Sequence, residues 1–192
     1  MGYYGSPNAP SLHWVRCMED VARKHYLAHH RLNTKHRSVS WQPTGLWVSI
    51  QCPFIAASPD GIISCQQCGK GLLEIKNPYK YKNSTIHEFT SKVDTCLIHC
   101  NGVTHLDRKH DYYYQIQFQL WVTGFQWCDF VLRTNSQMDN IFVERLVQDN
   151  NFISNILPKL NYFFYYGIIP ELKSRSVQGL VILNAVLKQC NE

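Results

Sequence analysis

A predicted β-hairpin constrains the fold of this chain most. Ser58-Pro59-Asp60-Gly61 has the composition of a turn and is followed by a short apolar run at residues 62–64. A second turn at 69–71 precedes residues 72–76, in which apolar and polar residues alternate as in a strand. Two short apolar runs between residues 46 and 57 come just before the hairpin. We therefore predict a small antiparallel β-meander over this region.

Three polar residues are expected to meet at one edge of this hairpin. Asp60 lies in the first turn, and Glu74 and Lys76 are two residues apart on the returning strand, so they project from one face. Carboxylates bind Mg²⁺ or Mn²⁺ well because hard cations prefer oxygen, and the carbonyl of Ile75 is a further candidate ligand. Taken alone, however, Asp-Gly is a common turn and Glu-X-Lys is often an exposed ion pair. The pattern alone leaves both interpretations open.

Helical periodicity is found on both sides of the hairpin. Residues 11–31 repeat apolar side chains at three- and four-residue spacing, and Asp111–Thr123 predicts a second long helix that ends at Gly124. Residues 32–45 have the composition of a polar connection. The other predicted elements are a short helix near 84–92, strands at 126–134 and 140–147, a closing helix at 150–166 and another after Pro170. This order predicts an α/β domain with a mixed β-sheet flanked by helices.

Basic residues are clustered along the sequence. The formal net charge of +5 favours a polyanionic partner only weakly. Six Lys and Arg residues lie between Arg16 and Arg37. A second basic stretch contains Lys70, Lys76, Lys80 and Lys82. Such residues are suited to neutralise backbone phosphates, although each of them also fits a solvated surface.

Nothing in the sequence indicates secretion or a membrane. No apolar run approaches the roughly 20 residues that a helix needs to cross a bilayer. The N-terminus has no basic segment followed by an apolar stretch. We therefore interpret most of the eight cysteines as reduced thiols and expect a nuclear or cytoplasmic protein.

A Cys-X-X-Cys pair, Cys65 and Cys68, forms a second candidate site. Such a pair needs two more ligands to hold a structural zinc ion. Cys96 and Cys100 are candidates, although their spacing differs from a standard second knuckle. A redox pair is disfavoured because no thioredoxin-like context surrounds it. Two loop thiols without a metal and a zinc-binding protein-interaction module both remain open.

Four segments of the sequence carry a resemblance to a known family. They are Trp14–Ala22, Cys52–Gly61, Gly71–Pro78 and Tyr112–Gln117. These segments resemble motifs of the YqaJ-like viral recombinase family, in the form found in its animal branch. That family includes the phage lambda-type exonuclease and belongs to the PD-(D/E)XK nuclease superfamily. Residues 142–160 also resemble the closing strand and helix of the family, so the resemblance covers nearly the whole chain.

The resemblance implies a fold and a function. The expected fold is a restriction-endonuclease-like α/β fold, as a single domain over residues 1–192. The expected activity is that of a Mg²⁺- or Mn²⁺-dependent deoxyribonuclease, most often an exonuclease, that acts in DNA recombination or repair. The expected partner is DNA, and a homo-oligomer is compatible with the resemblance.

The resemblance also implies roles for individual residues. The residues expected to act in catalysis are Asp60, Glu74, Lys76, Gln115 and Glu19. Those expected to bind the metal are Asp60, Glu74, Ile75 (through its carbonyl) and Glu19. Residues expected to contact the substrate are Ser58, Tyr112, Lys80 and Lys82. Without the resemblance, Glu19 fits an exposed helix carboxylate paired with Arg23, and Gln115 fits an amide that satisfies backbone groups.

Two features depart from the family pattern. Val15 stands where the first-helix motif has a glycine. The arginine and the Thr-Ala-Ser segment that grip the terminal phosphate in lambda-type enzymes have no obvious counterpart upstream of Trp14. A fragment lacking an N-terminal portion, a degenerate copy, and a nuclease that handles DNA ends differently all remain open. A catalytically inactive copy that binds DNA remains open as well.

Overall fold

A central mixed β-sheet organises the chain. The computed structural model describes residues 10–33, 38–134 and 141–174. In chain order, its helices are α1 (Pro10–Asn33), α2 (Ile86–Thr90), α3 (Asp111–Thr123), α4 (Asn150–Phe163) and α5 (Ile169–Ser174). Its strands are β1 (Val39–Gln42), β2 (Trp47–Val48), β3 (Ala56–Ala57), β4 (Gly61–Cys65), β5 (Gly69–Lys76), β6 (Leu97–Cys100), β7 (Val103–Leu106), β8 (Trp127–Arg133) and β9 (Ile141–Val147). The central sheet has five strands in the order β1-β4-β5-β8-β9, and β5 pairs parallel with β8. The predicted mixed sheet flanked by helices is confirmed.

The predicted hairpin is confirmed as β4 and β5. The two strands pair antiparallel, with Gly61 opposite Leu73 and Cys65 opposite Gly69. β5 continues beyond the first residue of β4, so residues 74–76 have no partner in β4. The end of β5 therefore presents an edge of backbone N–H and C=O groups on its β4 side.

Other parts of the β prediction were wrong. β1 lies within the stretch interpreted as a polar connection and pairs antiparallel with β4. It fits there because Val39 is buried and because Gly61 has no side chain, so that the Trp41 indole can lie over it. The runs between residues 46 and 57 do not join the central sheet but form the separate pair β2 and β3. A further hairpin of β6 and β7 occupies residues 97–106, for which no strand was predicted.

Two hydrophobic cores lie on opposite faces of the sheet. α1 covers one face through a core that includes Ala22, Tyr26, Ile63, Leu73 and Ile75. α3 covers the other face through a core that includes Leu72, Ile116, Leu120, Cys128 and Phe130. Because side chains alternate along a strand, Leu72 and Glu74 of β5 both face α3, whereas Leu73 and Ile75 face α1. This alternation directs Glu74 toward the glutamines of α3.

The helices that follow the hairpin largely keep their predicted bounds. α3 begins after His110, whose side chain accepts the Tyr112 N–H at 3.1 Å, and ends at Gly124 with φ of 75°. The closing helix ends earlier than predicted, because α4 is followed by a wide turn at Phe164–Ile168 and then by α5. Residues 135–139, predicted to join two strands, residue 140, predicted to begin the second of them, and the helix prediction beyond residue 174 lie outside the described residues. Within the described chain, no helix is long and apolar enough to span a membrane.

Candidate active site

Asp60 lies where β4 begins, beside the edge of β5 that β4 does not cover. Its backbone N–H donates to the Leu73 carbonyl at 3.1 Å, and the Trp41 indole donates to the Asp60 carbonyl at 3.2 Å. The carboxylate oxygen Oδ2 accepts the Ile75 N–H at 2.7 Å. The N–H and C=O of one strand residue lie on the same edge. The Ile75 carbonyl therefore lies on the edge where Asp60 sits.

Glu74 is fixed by three side-chain donors. The residue is 1% exposed and projects toward α3. Its Oε1 accepts hydrogen bonds from Lys76 Nζ at 2.6 Å and from Gln115 Nε2 at 2.7 Å. Its Oε2 accepts one from Gln119 Nε2 at 2.8 Å. A buried carboxylate needs such donors, and here they also fix its position.

Lys76 is held between the strand and α3. Its Nζ donates to Glu74 Oε1 at 2.6 Å and to Gln115 Oε1 at 2.9 Å, and it lies 4.7 Å from the centre of the Tyr112 ring. Burial alone would lower the pKa of Lys76, but the Glu74 carboxylate and then Asp60 outweigh it, and the pKa is raised. The ammonium is therefore positively charged and oriented by two hydrogen bonds.

Negative charge exceeds positive charge around Asp60. Burial, followed by the nearby Glu74 carboxylate, raises the pKa of Asp60 to about 7. The Ile75 N–H and Lys76 act in the opposite direction, and Glu19 raises the pKa further. The effect of Glu19 shows that a third carboxylate contributes to the same electrostatic environment. A cluster of this kind, on the wall of a cavity, is typical of a functional site.

Glu19 reaches this cluster from α1. It is half-buried and lines a cavity of about 390 Å³, which we call the polar cavity. The lining includes Glu19, Asp60, Glu74, Ile75, Lys76 and Gln115. The alternative reading of Glu19 as the partner of Arg23 is wrong, because Arg23 pairs with Asp20 at 2.5 Å and stacks on Trp41 at 3.7 Å. The structure thus brings together all the residues predicted for catalysis and metal binding.

The residues predicted to contact the substrate do not all line the polar cavity. Tyr112 lines the polar cavity, where it covers Lys76. Ser58 lines a neighbouring cavity instead. Neither Lys80 nor Lys82 lines the polar cavity, although Lys82 Nζ donates to the hydroxyl of Tyr79 at 3.2 Å and Tyr79 does line it. The two lysines therefore lie at its periphery.

Two further residues of the site were not predicted to take part. Gln119 holds Glu74, and its position one helical turn after Gln115 is the signal that could have identified it. Asn77 lines the polar cavity with a buried Oδ1 that has no hydrogen-bond partner among the described residues. Gln117, between the two site glutamines, faces away and donates to the Val147 carbonyl at 3.0 Å.

The cysteines do not assemble into a zinc site in the described chain. Cys65 belongs to the core under α1, whereas Cys96 belongs to the core under α3, so the sheet separates them. Burial raises the pKa of Cys96 to about 12, which disfavours the thiolate that a metal requires. Over residues 10–33, 38–134 and 141–174, no three His, Cys, Asp or Glu side chains are grouped as a ready metal site. The same holds for Glu19, Asp60 and Glu74, which all line the polar cavity but are not grouped as a ready three-carboxylate metal site.

The fold and the site together define the class of the protein. A mixed sheet in which an Asp at the start of one strand meets a Glu-X-Lys on the next is the arrangement of the restriction-endonuclease-like fold. Residues 5–126 match the YqaJ-like viral recombinase domain. The chain belongs to this family, as the sequence motifs predict.

Solved structures support the fold assignment. The alkaline exonuclease LHK-Exo from Laribacter hongkongensis is 24% identical and superposes with a TM-score of 0.61, over 90% of this chain and 77% of that chain. The structure of LHK-Exo in complex with dAMP is 25% identical, with a TM-score of 0.62 and the same coverage of 90% and 77%. No curated protein matches the sequence.

Proposed function

We propose that this chain is a metal-dependent DNA exonuclease that hydrolyses phosphodiester bonds in the polar cavity. One observation carries the proposal: Glu74, Lys76 and Gln115 are joined by hydrogen bonds of 2.6 to 2.9 Å beside Asp60. The membership of the family and the similarity to an alkaline exonuclease support DNA as the substrate. A role in recombination or repair is proposed from the family alone.

The donors of the polar cavity suit a hard divalent cation. Mg²⁺ usually retains several waters and is bound through one or two carboxylates together with substrate phosphate oxygens. Asp60 and Glu74 provide these carboxylates, and Glu19 and the Ile75 carbonyl would complete or support the site. Bound Mg²⁺ or Mn²⁺ would supply an activated water and neutralise charge on the phosphate. The raised pKa of Asp60 fits this assignment, because the carboxylates are short of positive charge.

The remaining residues orient groups that act on the phosphate. Lys76 would orient the attacking water or stabilise the negative charge that develops on the phosphate oxygens. Gln115 accepts from Lys76 and donates to Glu74, so it fixes the relative positions of both groups. Gln119 fixes the second oxygen of Glu74. Such prior orientation reduces the reorganisation needed when the phosphate reacts.

Substrate contacts divide into near and peripheral groups. Tyr112 lies over Lys76 and is placed to contact the reacting nucleotide. Lys82, next to Tyr79, and the exposed Lys80 would attract the more distant backbone through charge. Ser58 lies in the neighbouring cavity and would contact an adjacent nucleotide.

The proposal is tested with linear and covalently closed circular duplexes of the same sequence. The linear duplex carries labels at its ends and is incubated with Mg²⁺, with Mn²⁺, or with EDTA. We expect mononucleotide release from the linear duplex only, and only with a divalent ion. Cleavage of the circle would indicate an endonuclease. Degradation in EDTA would show that hydrolysis does not require a divalent metal ion. Binding without degradation would identify an inactive DNA-binding copy.

A further inference from the structure

A second cavity lies directly beside the polar cavity. Its volume is about 580 Å³, within the range of roughly 300–1,000 Å³ that is typical of ligand pockets. Its walls include Phe54, Phe118, Leu160, Phe163, Phe164 and Ile168, and we call it the apolar cavity. It lies where α3, the end of α4 and the segment before β3 come together.

Packed aromatic rings contribute to one wall of the apolar cavity. The rings of Phe54 and Phe164 are stacked, with centroids 3.9 Å apart and planes 8° apart. Tyr165 packs edge-on against Phe54, with centroids 6.0 Å apart. Phe54 and Phe164 are thus fixed by packing, and such surfaces favour planar ligands that can stack or slide along them.

A buried hydrogen-bond acceptor lies in the wall between the two cavities. Gln119 lines the apolar cavity and is 2% exposed. Its Nε2 is committed to Glu74, which fixes the amide. Its Oε1 is buried and has no hydrogen-bond partner among the described residues. A buried acceptor without a donor is unfavourable, so a ligand that brings an N–H group here would satisfy it.

The two cavities are neighbours that share one lining residue. Gln115 lines both of them, and Ser58 lines the apolar cavity at an exposed position. A nucleotide whose phosphate lies beside Lys76 would therefore extend past Gln115 toward the apolar cavity.

We propose that the apolar cavity is a subsite for one nucleobase of the strand being cut, next to the scissile phosphate. The inference rests on the proposed nuclease function and names where the substrate base binds. Phe54, Phe118 and Phe164 provide its apolar contacts, and Gln119 Oε1 accepts a base N–H. Every DNA base has at least one such N–H, and base stacking on aromatic side chains is tolerant of sequence. The subsite therefore selects for the presence of a base and not for its identity.

The subsite is tested by removing single bases from the DNA. The Lys76→Ala protein, in which slow degradation is expected, is titrated without a divalent ion with duplexes that carry one abasic residue at each of the terminal positions of each strand in turn. Fluorescence anisotropy gives the Kd. We expect one position at which base removal weakens binding about tenfold, as loss of one stacked base does. Equal affinity for all abasic duplexes and the intact duplex would overturn the subsite.

A variant that fills the apolar cavity tests whether the loss of DNA affinity arises there. Leu160→Trp, also in the Lys76→Ala protein, is expected to weaken binding of the intact duplex about tenfold and to leave the sensitive abasic duplex unchanged. Leu172→Trp is the matched control, since Leu172 lies in α5 and is 55% exposed, and it should change neither Kd. Equal weakening of both duplexes by Leu160→Trp would overturn the assignment.

The subsite and the nuclease function can fail separately. Degradation of the intact duplex by the unsubstituted protein is measured in parallel. If this protein degrades no DNA, the nuclease function fails, while base-dependent binding still decides the subsite. If degradation occurs without base-dependent binding, the subsite alone fails.

Discussion

Two buried carboxylates on neighbouring strands have different surroundings. Asp129 of β8 accepts hydrogen bonds from Arg145 at 2.8 and 2.9 Å, one to each oxygen, and from the Tyr26 hydroxyl at 2.6 Å. Glu74 of β5 also accepts three hydrogen bonds, but only one of them comes from a charged group, the Lys76 ammonium, whereas two of the three to Asp129 come from Arg145. The two side chains project from opposite faces of the sheet, Asp129 toward Tyr26 of α1 and Glu74 toward the glutamines of α3.

The difference lies in charge balance. Asp129 has one guanidinium for one carboxylate, in a bidentate geometry, which is the strongest form of such a pair. Glu74 shares Lys76 with Asp60, and Glu19 adds a third carboxylate on the wall of a cavity of about 390 Å³. A cavity of about 200 Å³ borders Asp129 as well, but the charge of Asp129 is already matched by the Arg145 guanidinium. Burial of a carboxylate therefore does not identify a catalytic site, whereas unbalanced carboxylates beside a cavity favour one.

The largest expected effect on stability is at the ion pair of Asp129 and Arg145. Asp129→Ala leaves Arg145 and the Tyr26 hydroxyl without their partner, and because the Arg145 side chain is 35% exposed we expect a cost of about 2 kcal/mol, below that of a fully buried pair. Urea unfolding should show this loss, while the nuclease rate per folded molecule should stay within about twofold of that of the unsubstituted protein. A loss of stability below about 1 kcal/mol would contradict the structural role of the pair.

A change of stability in the opposite direction is expected at the carboxylates Asp60, Glu74 and Glu19 around Lys76, which we call the unbalanced cluster. Asp60→Asn keeps an acceptor for the Ile75 N–H but removes one of the crowded carboxylates. In buffer without divalent ions, stability should rise by on the order of 1 kcal/mol, because burial and Glu74 disfavour the charged form of Asp60. The nuclease rate should fall by about 10²–10³-fold. A variant that is both less stable and fully active would show that Asp60 is not a catalytic residue.

A smaller effect on the nuclease rate is expected to distinguish Gln119 from Gln117, which belong to the same helix. Gln119→Leu removes a donor to Glu74 and should lower the nuclease rate by about 10–100-fold, as loss of a residue that orients a metal ligand does. Gln117→Leu is the matched control, because Gln117 holds the Val147 carbonyl and the Asp149 N–H far from the cavity. It should lower the melting temperature and leave the rate per folded molecule unchanged. Equal rates for the two variants would show that Gln119 only stabilises the helix.

The smallest effect is expected at the Cys-X-X-Cys pair. Cys65 lies under α1, on the face of the sheet opposite α3 and its glutamines. The double variant Cys65→Ser, Cys68→Ser should change the nuclease rate by less than about twofold, since distant substitutions act independently. Mass spectrometry of the native protein should show no bound zinc. One equivalent of zinc, lost in the double variant, would instead support the interaction-module hypothesis.

The main features of the site were predictable because they depend on short-range geometry. The two-residue period of a strand places Glu74 and Lys76 on one face, and the hairpin brings Asp60 beside them. The four-residue spacing of a helix aligns Gln115 and Gln119. The motifs added Glu19, which local geometry alone assigned to the wrong partner.

Features that depend on distant residues were not predictable in the same way. β1 lies in a segment that is polar as a whole, and it becomes a strand because Trp41 can lie over Gly61 and because Val39 joins the core. The Tyr26–Asp129 hydrogen bond joins residues 103 positions apart. The apolar cavity is likewise formed by phenylalanines from separate segments. No local period relates such residues, so only the folded chain shows them together.

The central claim is that the unbalanced cluster at the end of β5 is the catalytic site. The most direct measurement is the rate of mononucleotide release from an end-labelled linear duplex in Mg²⁺ or Mn²⁺, for the unsubstituted protein, Lys76→Ala and Lys70→Ala. Both lysines belong to β5, but Lys70 is exposed near the opposite end of the strand. We predict a loss of about 10²–10³-fold for Lys76→Ala and an unchanged rate for Lys70→Ala. Equal rates for all three proteins would contradict the account.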